Sequence, residues 1–255
     1  MKNIIKLASI LVLFTSSIVQ TVAADVNLYF TRHGKTMFNS THRVQGWSDT
    51  PLTKPGIEVA QYLGKGLRGT DFIAVYSSDL GRARETARLV LEAKGEERIS
   101  IIESKNLRET CFGLYEGDLD PNMWTPAAQY LGYNSDKELM ADLAAGNITL
   151  DKMMNAIAAI EKSGEAENYN TVKKRMTLAM EQIAKSAQAK GGGNVLIVSH
   201  GMAIMALVND IADSPVREGL GNASVTKIRY TDDGKFIVES IGDMSYVEKG
   251  KQAKK

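Results

Sequence analysis

Short apolar runs alternate with amphipathic helical patterns along most of the chain, and this alternation restricts the fold more than any other feature. Near-continuous apolar runs are typical of parallel strands that are covered on both faces. Such runs are found at residues 26–31, 72–77 and 195–199, with a fourth predicted strand at 99–102. Amphipathic helical patterns lie between the strands, at residues 56–67, 82–94 and 172–187. This order predicts an α/β domain with a mostly parallel central sheet.

A hairpin signal closes the domain near its carboxyl end. Two β-rich runs, at residues 225–230 and 235–240, flank Asp232-Asp233-Gly234. The predicted architecture is therefore a three-layer sandwich with an antiparallel edge hairpin and helices on both faces. In such sheets, ligands bind at the carboxyl ends of the strands.

Residues 118–168 fit no strand and show two short helical patterns, around 136–145 and 150–162. We expect them to form a helical insertion, or cap, over the site. Met123, Trp124 and Tyr130 are candidate substrate contacts, although each of them could equally pack the insertion onto the domain. The remaining domain is predicted to span 25–248, and the basic tail 249–255 is predicted to be disordered.

The amino terminus has the pattern of a secretory signal peptide. Lys2 and Lys6 precede an apolar run at 7–19, and small residues follow at 21–24. Hydroxyl residues interrupt the run, and it is shorter than the roughly 20 residues of a spanning helix. We therefore expect cleavage after Ala23 or Ala24, no stable membrane anchor, and a secreted or periplasmic protein of bacterial origin.

Removal of residues 1–24 leaves 29 basic and 30 acidic residues, a formal charge of −1. Nonspecific nucleic-acid binding needs a sustained basic field, which this balance does not provide. Cys111 is the single cysteine, so no intramolecular disulfide can form and a reactive-thiol role is not predicted. The sequence carries no signal for the oligomeric state.

Two histidines occur in matching contexts, each directly after a predicted strand and directly before a glycine. They are found in Thr31-Arg32-His33-Gly34 and Val198-Ser199-His200-Gly201. The ends of adjacent strands would bring both imidazoles, with the adjoining Arg32, into one crevice. The two glycines let backbone come close to a ligand, and their N–H groups lie near a helix start, which suits an anion such as phosphate.

A second arginine reaches the same edge of the predicted sheet. The strand at 72–77 ends at Ser77, and Arg82 opens the following helix, so its guanidinium can bind phosphate with two parallel hydrogen bonds. Arg84 and Arg88 share that helix, but we interpret them as solvated or paired with nearby glutamates.

The motifs resemble those of the histidine phosphatase superfamily, in the branch that contains cofactor-dependent phosphoglycerate mutases and broad-specificity phosphatases. The resemblance extends in order from about residue 26 to 240 and omits the insertion. It rests on Arg32-His33-Gly34, Asn39, Gly46-Trp47-Ser48-Asp49, Leu52 to Gly56, Ser77 to Thr86, Leu107-Arg108-Glu109, Phe112 to Gly117 and Ser199-His200-Gly201.

The resemblance implies a covalent mechanism. His33 would be the nucleophile and would become phosphohistidine. The groups around the phosphate oxygens would be Arg32, Asn39, Arg82, His200 and the backbone at Gly201. Since this clamp needs no metal, and the sequence shows no acidic cluster or His/Cys spacing to hold one, we predict neither a metal nor a cofactor.

The resemblance also implies a general acid and base, which matches Glu109. Glu116 is the rival carboxylate, with a structural bond to backbone or arginine as its other explanation. His42, beside Arg43, could contact substrate or could be an exposed loop residue.

Two departures favour water over a second phosphorylated metabolite as the acceptor. Lys35 stands where the mutases typically have glutamate, and the Phe-Gly-x-x-Glu-Gly pattern at 112–117 resembles the phosphatases. The sequence therefore predicts an exported phosphomonoesterase acting on small phosphorylated substrates. The alternatives are a cofactor-dependent phosphoglycerate mutase and a non-catalytic phosphate-binding surface protein.

Overall fold

The computed structural model describes residues 24–253, so the predicted signal peptide lies almost wholly outside the described residues. The strands are β1 (Val26–Arg32), β2 (Phe72–Ser77), β3 (Ile101–Glu103), β4 (Gly193–Ser199), β5 (Val225–Tyr230) and β6 (Phe236–Asp243). The helices are α1 (Met37–Thr41), α2 (Lys54–Gly66), α3 (Gly81–Lys94), α4 (Asp120–Tyr130), α5 (Asp136–Ala145), α6 (Leu150–Ile160), α7 (Tyr169–Gln188), α8 (Gly201–Val208) and α9 (Ser245–Gln252).

The six strands form one sheet in the order β3-β2-β4-β1-β5-β6. The first four in this order are parallel, whereas β5 and β6 are antiparallel to their neighbours. The predicted fold class, a mostly parallel sheet with an antiparallel edge hairpin, is confirmed. Arg32 pairs with Ser199 in the register of β1 and β4, so His33 and His200 leave neighbouring strands at the same edge.

Both faces of the sheet are buried, which explains why β1 and β4 read as continuous apolar runs. Phe30 and Ile197 pack into the core on the side of α7 and α8, whereas the intervening Tyr29, Leu196 and Val198 pack into the core under α2, α3 and α9. Successive side chains of a strand point to opposite faces, so a strand between two helical layers needs an apolar residue at every position.

Helix α9 differs from the sequence expectation. It extends from Ser245 to Gln252, so the prediction of a disordered tail is wrong for 249–252. At Gly66 and Gly250 an added methyl group would overlap backbone of the partner helix, so α2 and α9 pack backbone against backbone. Contacts of this kind leave no apolar stripe in the sequence, and the Lys-rich segment therefore resembles a tail.

The segment 118–168 contains three helices rather than the two that the sequence predicts. Helix α4 was missed because Pro126 lies in its interior, where proline removes a hydrogen bond and costs about 3 kcal/mol. Met123 and Ala127 of α4 pack against Ile157 of α6 in a separate apolar cluster. This packing overrides the local preference against helix.

The buried carboxylate of Glu161 joins the end of α6 to the turn that precedes the insertion. It accepts hydrogen bonds from the backbone N–H groups of Leu114 and Glu165 at 3.2 and 3.1 Å, and from the N–H and hydroxyl of Ser163 at 2.8 and 2.7 Å. Burial alone would raise the pKa of Glu161, but these hydrogen bonds outweigh it and lower the pKa to about 2. The folded protein therefore stabilises the ionised carboxylate of Glu161 relative to its protonated form.

We expect Glu161→Gln to lower the free energy of unfolding by about 1–3 kcal/mol at pH 7, because three backbone N–H groups and the Ser163 hydroxyl lose a charged acceptor. The folded pKa is depressed, so this contribution is present above the ordinary pKa of 4.5 and is lost as the pH falls towards 2. Urea unfolding at pH 7, 5 and 4 measures the difference. Glu181→Gln, which removes an exposed ion pair with Lys185, is the control. Equal losses in the two variants at pH 7 would contradict the assignment.

Candidate active site

The backbone of His33 is fixed on both sides. Its N–H donates to the carbonyl of Ser199 at 3.0 Å, and its carbonyl accepts from the side-chain amide of Asn222 at 2.9 Å. The ring Nδ1 lies 2.8 Å from the carbonyl oxygen of Gly34. A carbonyl can only accept, so Nδ1 carries the hydrogen and Nε2 keeps its lone pair. Burial, with the charges of Arg82 and Arg32, lowers the pKa of His33 well below 6.5 and keeps the imidazole neutral.

His200 lies beside His33, with the ring centroids 5.1 Å apart. Its side chain is fully buried, and neither ring nitrogen has a hydrogen-bond partner among the described residues. Burial and the nearby guanidinium of Arg82 lower the pKa of His200 well below 6.5. Unpaired buried nitrogens cost free energy, so this arrangement fits a ring that bonds to a ligand.

Arg82 is 1% exposed and is locked by its surroundings. Its Nη1 donates to the carbonyl of Ser48 at 2.9 Å and to Asp49 at 3.0 Å, and its Nη2 donates to the carbonyl of Gly46 at 2.7 Å. Its Nε, also buried, has no partner among residues 24–253. The side chain is therefore held by the loop at 46–49, and its Nε and the second N–H of Nη2 are left for a ligand.

Glu116 shapes the loop that holds Arg82. Its carboxylate accepts from the backbone N–H groups of Gly46, Trp47 and Ser48 at 3.1, 2.8 and 2.9 Å. The carbonyls of this loop in turn accept from Arg82. These contacts agree with the structural role that the sequence analysis gave as the alternative for Glu116, a bond to backbone.

Arg32 has a similar pattern. Its Nη1 donates to the carbonyl of Leu220 at 2.6 Å, and its buried Nε has no partner within the described part of the chain. The guanidinium lies against Gly201, where a side chain would bring a Cβ to 3.3 Å from Nε. Burial lowers the pKa of Arg32, but an arginine remains charged at neutral pH. Two cationic groups are therefore held at this edge.

Glu109 lies at the amino terminus of α8. Oε1 accepts from the N–H groups of Ala203 at 2.8 Å and Thr110 at 2.9 Å, and Oε2 accepts from Met202 at 3.0 Å. A carboxylate is favoured there by the helix dipole. The N–H groups of Met202 and Ala203 are therefore not available to a phosphate, because Glu109 accepts from them.

The two motif glycines differ in what they offer a ligand. The N–H of Gly34 donates to the hydroxyl of Thr86 at 3.0 Å, so it is not free for an anion. The N–H of Gly201 has no acceptor among the described residues, and Gly201 lines the cavity. Of the two, Gly201 retains the predicted phosphate-binding position.

Asn39 and Asn222 form a small amide network under the cavity. The side-chain oxygen of Asn39 accepts from the N–H of Thr36 at 3.2 Å and from Asn222 at 3.4 Å. Its side-chain nitrogen has no acceptor within residues 24–253, so both hydrogens are available to a ligand. Sequence reasoning missed Asn222, because a loop asparagine outside the motifs carries no chemical signal.

A cavity of about 420 Å³ opens at this edge of the sheet. Its polar lining comprises Arg32, Lys35, Asn39, Arg43, Gln45, Glu109, Asp120 and Asn222. His33, Arg82 and His200 are buried and are not part of the lining. Its apolar wall comprises Val44, Phe112, Met123, Trp124, Met202, Met205 and Leu220. The insertion contributes Met123 and Trp124 to this wall and helix α8 contributes Met202 and Met205, so the cavity offers a substrate both polar and apolar surface.

Some predicted contacts lie elsewhere. Met123 and Trp124 line the cavity, but Tyr130 is 61% exposed and lies outside the lining, so the structure does not support it as a substrate contact. His42 is exposed and lies outside the lining, whereas its neighbour Arg43 is part of it. Arg88 pairs with Glu85 and Glu92 on the surface, as the sequence predicted.

The comparison with known proteins agrees with this geometry. The family model of the histidine phosphatase superfamily (branch 1) matches residues 28–136 and 148–243. The chain belongs to this superfamily. The match continues through most of 118–168 and omits only 137–147, so less of the cap is additional to the family than the sequence indicated.

Three relatives show how far the similarity extends. The crystal structure of phosphoglycerate mutase from Bacillus anthracis is 42% identical, with a TM-score of 0.85, and the match covers 91% of this chain and 99% of that one. The structure of Bacillus stearothermophilus YhfR is 30% identical, with a TM-score of 0.66 and coverage of 87% and 99%. A Yersinia pestis protein named probable phosphoglycerate mutase GpmB is 26% identical over 231 residues, which is 88% of this chain and 95% of that protein. The protein is therefore an enzyme that acts on phosphate esters.

Two further findings concern the described residues alone. Within residues 24–253, no group of three or more His, Cys, Asp or Glu side chains is arranged to hold a metal ion. In the same part of the chain, none of the helices is both long and apolar enough to cross a membrane.

We expect inorganic phosphate to stabilise the protein, since it would pair with the buried guanidiniums. At about 100 times its Kd, a ligand adds about 2.7 kcal/mol, which raises Tm by about 5–10 °C in a domain of this size. Arg32→Gln should remove most of the shift in thermal unfolding at pH 7.5. Arg88→Gln, which changes an exposed arginine on α3, should keep it. No shift in the wild type, or an undiminished shift in Arg32→Gln, would contradict the binding site.

Proposed function

We propose that the protein is a metal-independent phosphomonoesterase that hydrolyses small phosphorylated compounds through a phosphohistidine on His33. The observation that carries the proposal is the neutral imidazole of His33, with Nδ1 anchored on Gly34 and Nε2 free, beside buried cationic donors that have no acceptor among the described residues. Nucleophilic attack requires that lone pair, and the developing phosphate charge requires those donors.

Two displacements complete the reaction. In the first, Nε2 of His33 forms a bond to phosphorus, the ester P–O bond breaks, and the leaving oxygen takes a proton from Glu109. In the second, Glu109 takes a proton from water, the hydroxide oxygen bonds to phosphorus, and the P–N bond breaks. Oε1 of Glu109 accepts two N–H groups and Oε2 accepts one, so Oε2 is the oxygen with room for the proton.

The phosphate clamp is assigned from the donors that remain free. Nε of Arg32, Nε of Arg82 and a ring nitrogen of His200 are buried without partners in the described chain, and the amide of Asn39 adds a fourth donor. Fixed donors stabilise the charge on the three non-bridging oxygens without reorganisation, which is most of what phosphoryl transfer requires.

A phosphoglycerate mutase is the second candidate, because two of the relatives carry that name. A mutase returns the phosphoryl group to a second phosphorylated metabolite, whereas a phosphatase gives it to water. Lys35, which lines the cavity where mutases typically have glutamate, favours the phosphatase.

We expect the mature enzyme to release phosphate from p-nitrophenyl phosphate with a chelator present. His33→Ala should lower kcat/KM by about 10³-fold or more, because no other group can form the covalent intermediate. The control is His42→Ala, an exposed histidine outside the cavity lining. Undiminished turnover in His33→Ala, or a strict metal requirement, would refute the mechanism.

The same preparation separates hydrolysis from transfer. We expect phosphate release from 3-phosphoglycerate to exceed its conversion to 2-phosphoglycerate, with or without the bisphosphorylated cofactor. Conversion that depends on the cofactor and exceeds hydrolysis would establish the mutase. Phosphate binding without either reaction would establish a binding protein.

We also propose that the enzyme is exported, on the basis of Lys2, Lys6, the apolar run at 7–19 and the small residues at 21–24. Expressed in full in a Gram-negative host, it should be found in the periplasm or medium with Ala24 or Asp25 as its first residue. Leu13→Arg, which interrupts the apolar run, should leave the chain unprocessed. Terminal sequencing that finds the intact amino terminus of the wild type in the cytoplasm would contradict export.

A further inference from the structure

Arg175 of α7 reaches the segment that carries Glu109. Its Nη1 donates to the carbonyls of Asn106 and Arg108 at 3.1 and 2.5 Å, and its Nη2 donates to the carbonyl of Glu109 at 2.8 Å. One guanidinium thus donates to three carbonyls within the four consecutive residues 106–109. The side chain is 13% exposed, so water competes little for these bonds.

Glu167 holds Arg175 in this position. The two side chains form a two-point ion pair, with Nε and Nη2 at 2.8 and 2.7 Å from the carboxylate oxygens. Glu167 is also fixed to the segment after Glu109, because its carboxylate accepts from the N–H of Cys111 at 3.0 Å and its own N–H donates to the Cys111 carbonyl at 2.9 Å. The pair therefore forms hydrogen bonds to the backbone on both sides of Glu109.

The carbonyl of Glu109 has a second donor on another element. The indole Nε1 of Trp47 donates to it at 2.9 Å, so this oxygen accepts from Trp47 and Arg175 together. Since α8 and Thr110 hold the carboxylate, Glu109 is restrained at its backbone and at its tip.

We propose that Arg175, oriented by Glu167, is a positioning residue that keeps Oε2 of Glu109 in line with the leaving oxygen of the substrate. This inference rests on the proposed role of Glu109 as general acid. Proton transfer needs heavy atoms about 2.6–3.2 Å apart, and a displacement of about 1 Å can cost about 10²-fold in rate. Among the described residues Arg175 donates only to these three carbonyls and to Glu167, so it acts through the backbone of Glu109.

The test uses the basicity of the leaving group. An alkoxide must be protonated as it leaves, whereas p-nitrophenolate is a weak base and leaves without help. We expect Arg175→Gln to lower kcat/KM for glycerol phosphate by about 10- to 100-fold and for p-nitrophenyl phosphate by less than about threefold. A purely structural loss would lower both values by the same factor.

Three variants sharpen the comparison. Arg175→Lys keeps the positive charge but cannot bridge the three carbonyls and Glu167, so it should show the same split between substrates as Arg175→Gln. Glu167→Gln removes the charge that pairs with Arg175 but keeps Arg175 itself, so it should show a smaller difference between the two substrates. This variant also tests the proposal if the Arg175 variants do not fold. Lys173 lies on the same helix as Arg175 and forms an exposed ion pair with Asp210. Lys173→Gln removes this ion pair and should change neither value.

Glu109→Gln separates failure of this inference from failure of the proposed function. If Glu109→Gln itself shows no split between the two esters, the general-acid assignment is wrong. If it shows the split while Arg175→Gln lowers both substrates equally, or neither, the positioning role alone is overturned. Where both hold, the double variant should show no larger split than Glu109→Gln, since the two residues act as one unit.

Discussion

Positive charge buried at the carboxyl edge of the sheet is the constraint on which the rest of the site depends. Arg82 is almost fully buried, so each of its donors needs an acceptor, and the loop at 46–49 supplies two carbonyls and Asp49. That loop needs its own support, which Glu116 provides. Arg32 donates to one carbonyl, and the buried Nε of each arginine has no partner among the described residues, so it remains for an anion. Burial and the same charges lower the pKa of His33, so the groups proposed to bind phosphate also help to keep the proposed nucleophile neutral.

The fold brings these groups together through strand register and helix ends. Because β1 and β4 are parallel neighbours with Arg32 opposite Ser199, the two histidines that follow must lie side by side. The amino terminus of α8 then fixes the carboxylate of Glu109, and α7 fixes its backbone through Arg175. The proposed nucleophile, phosphate clamp and acid therefore come from separate elements, and each is held by hydrogen bonds to backbone.

Much of this arrangement is present in the sequence, and what is missing has a common physical cause. Continuous apolar runs predicted the strands, and the two strand-His-Gly contexts predicted the paired imidazoles. Contacts made by backbone left no residue-type signal: the glycine packing of α9, and the carbonyls that accept from Arg32, Arg82 and Arg175. Helix α4 was not predicted because Pro126 lies in its interior. Tyr130 was a candidate substrate contact because the sequence does not show which face of α4 meets the cavity, and the structure leaves its side chain exposed.

The phosphohistidine mechanism can be tested most directly by a crystal structure of the enzyme with orthovanadate, which adopts the geometry of a phosphoryl group in transfer. The mechanism predicts a bond from vanadium to Nε2 of His33, with vanadate oxygens about 2.7–3.2 Å from Nε of Arg32, Nε of Arg82 and a ring nitrogen of His200. Vanadate bound away from His33, or a His33 ring turned so that Nδ1 faces the vanadium, would contradict the mechanism.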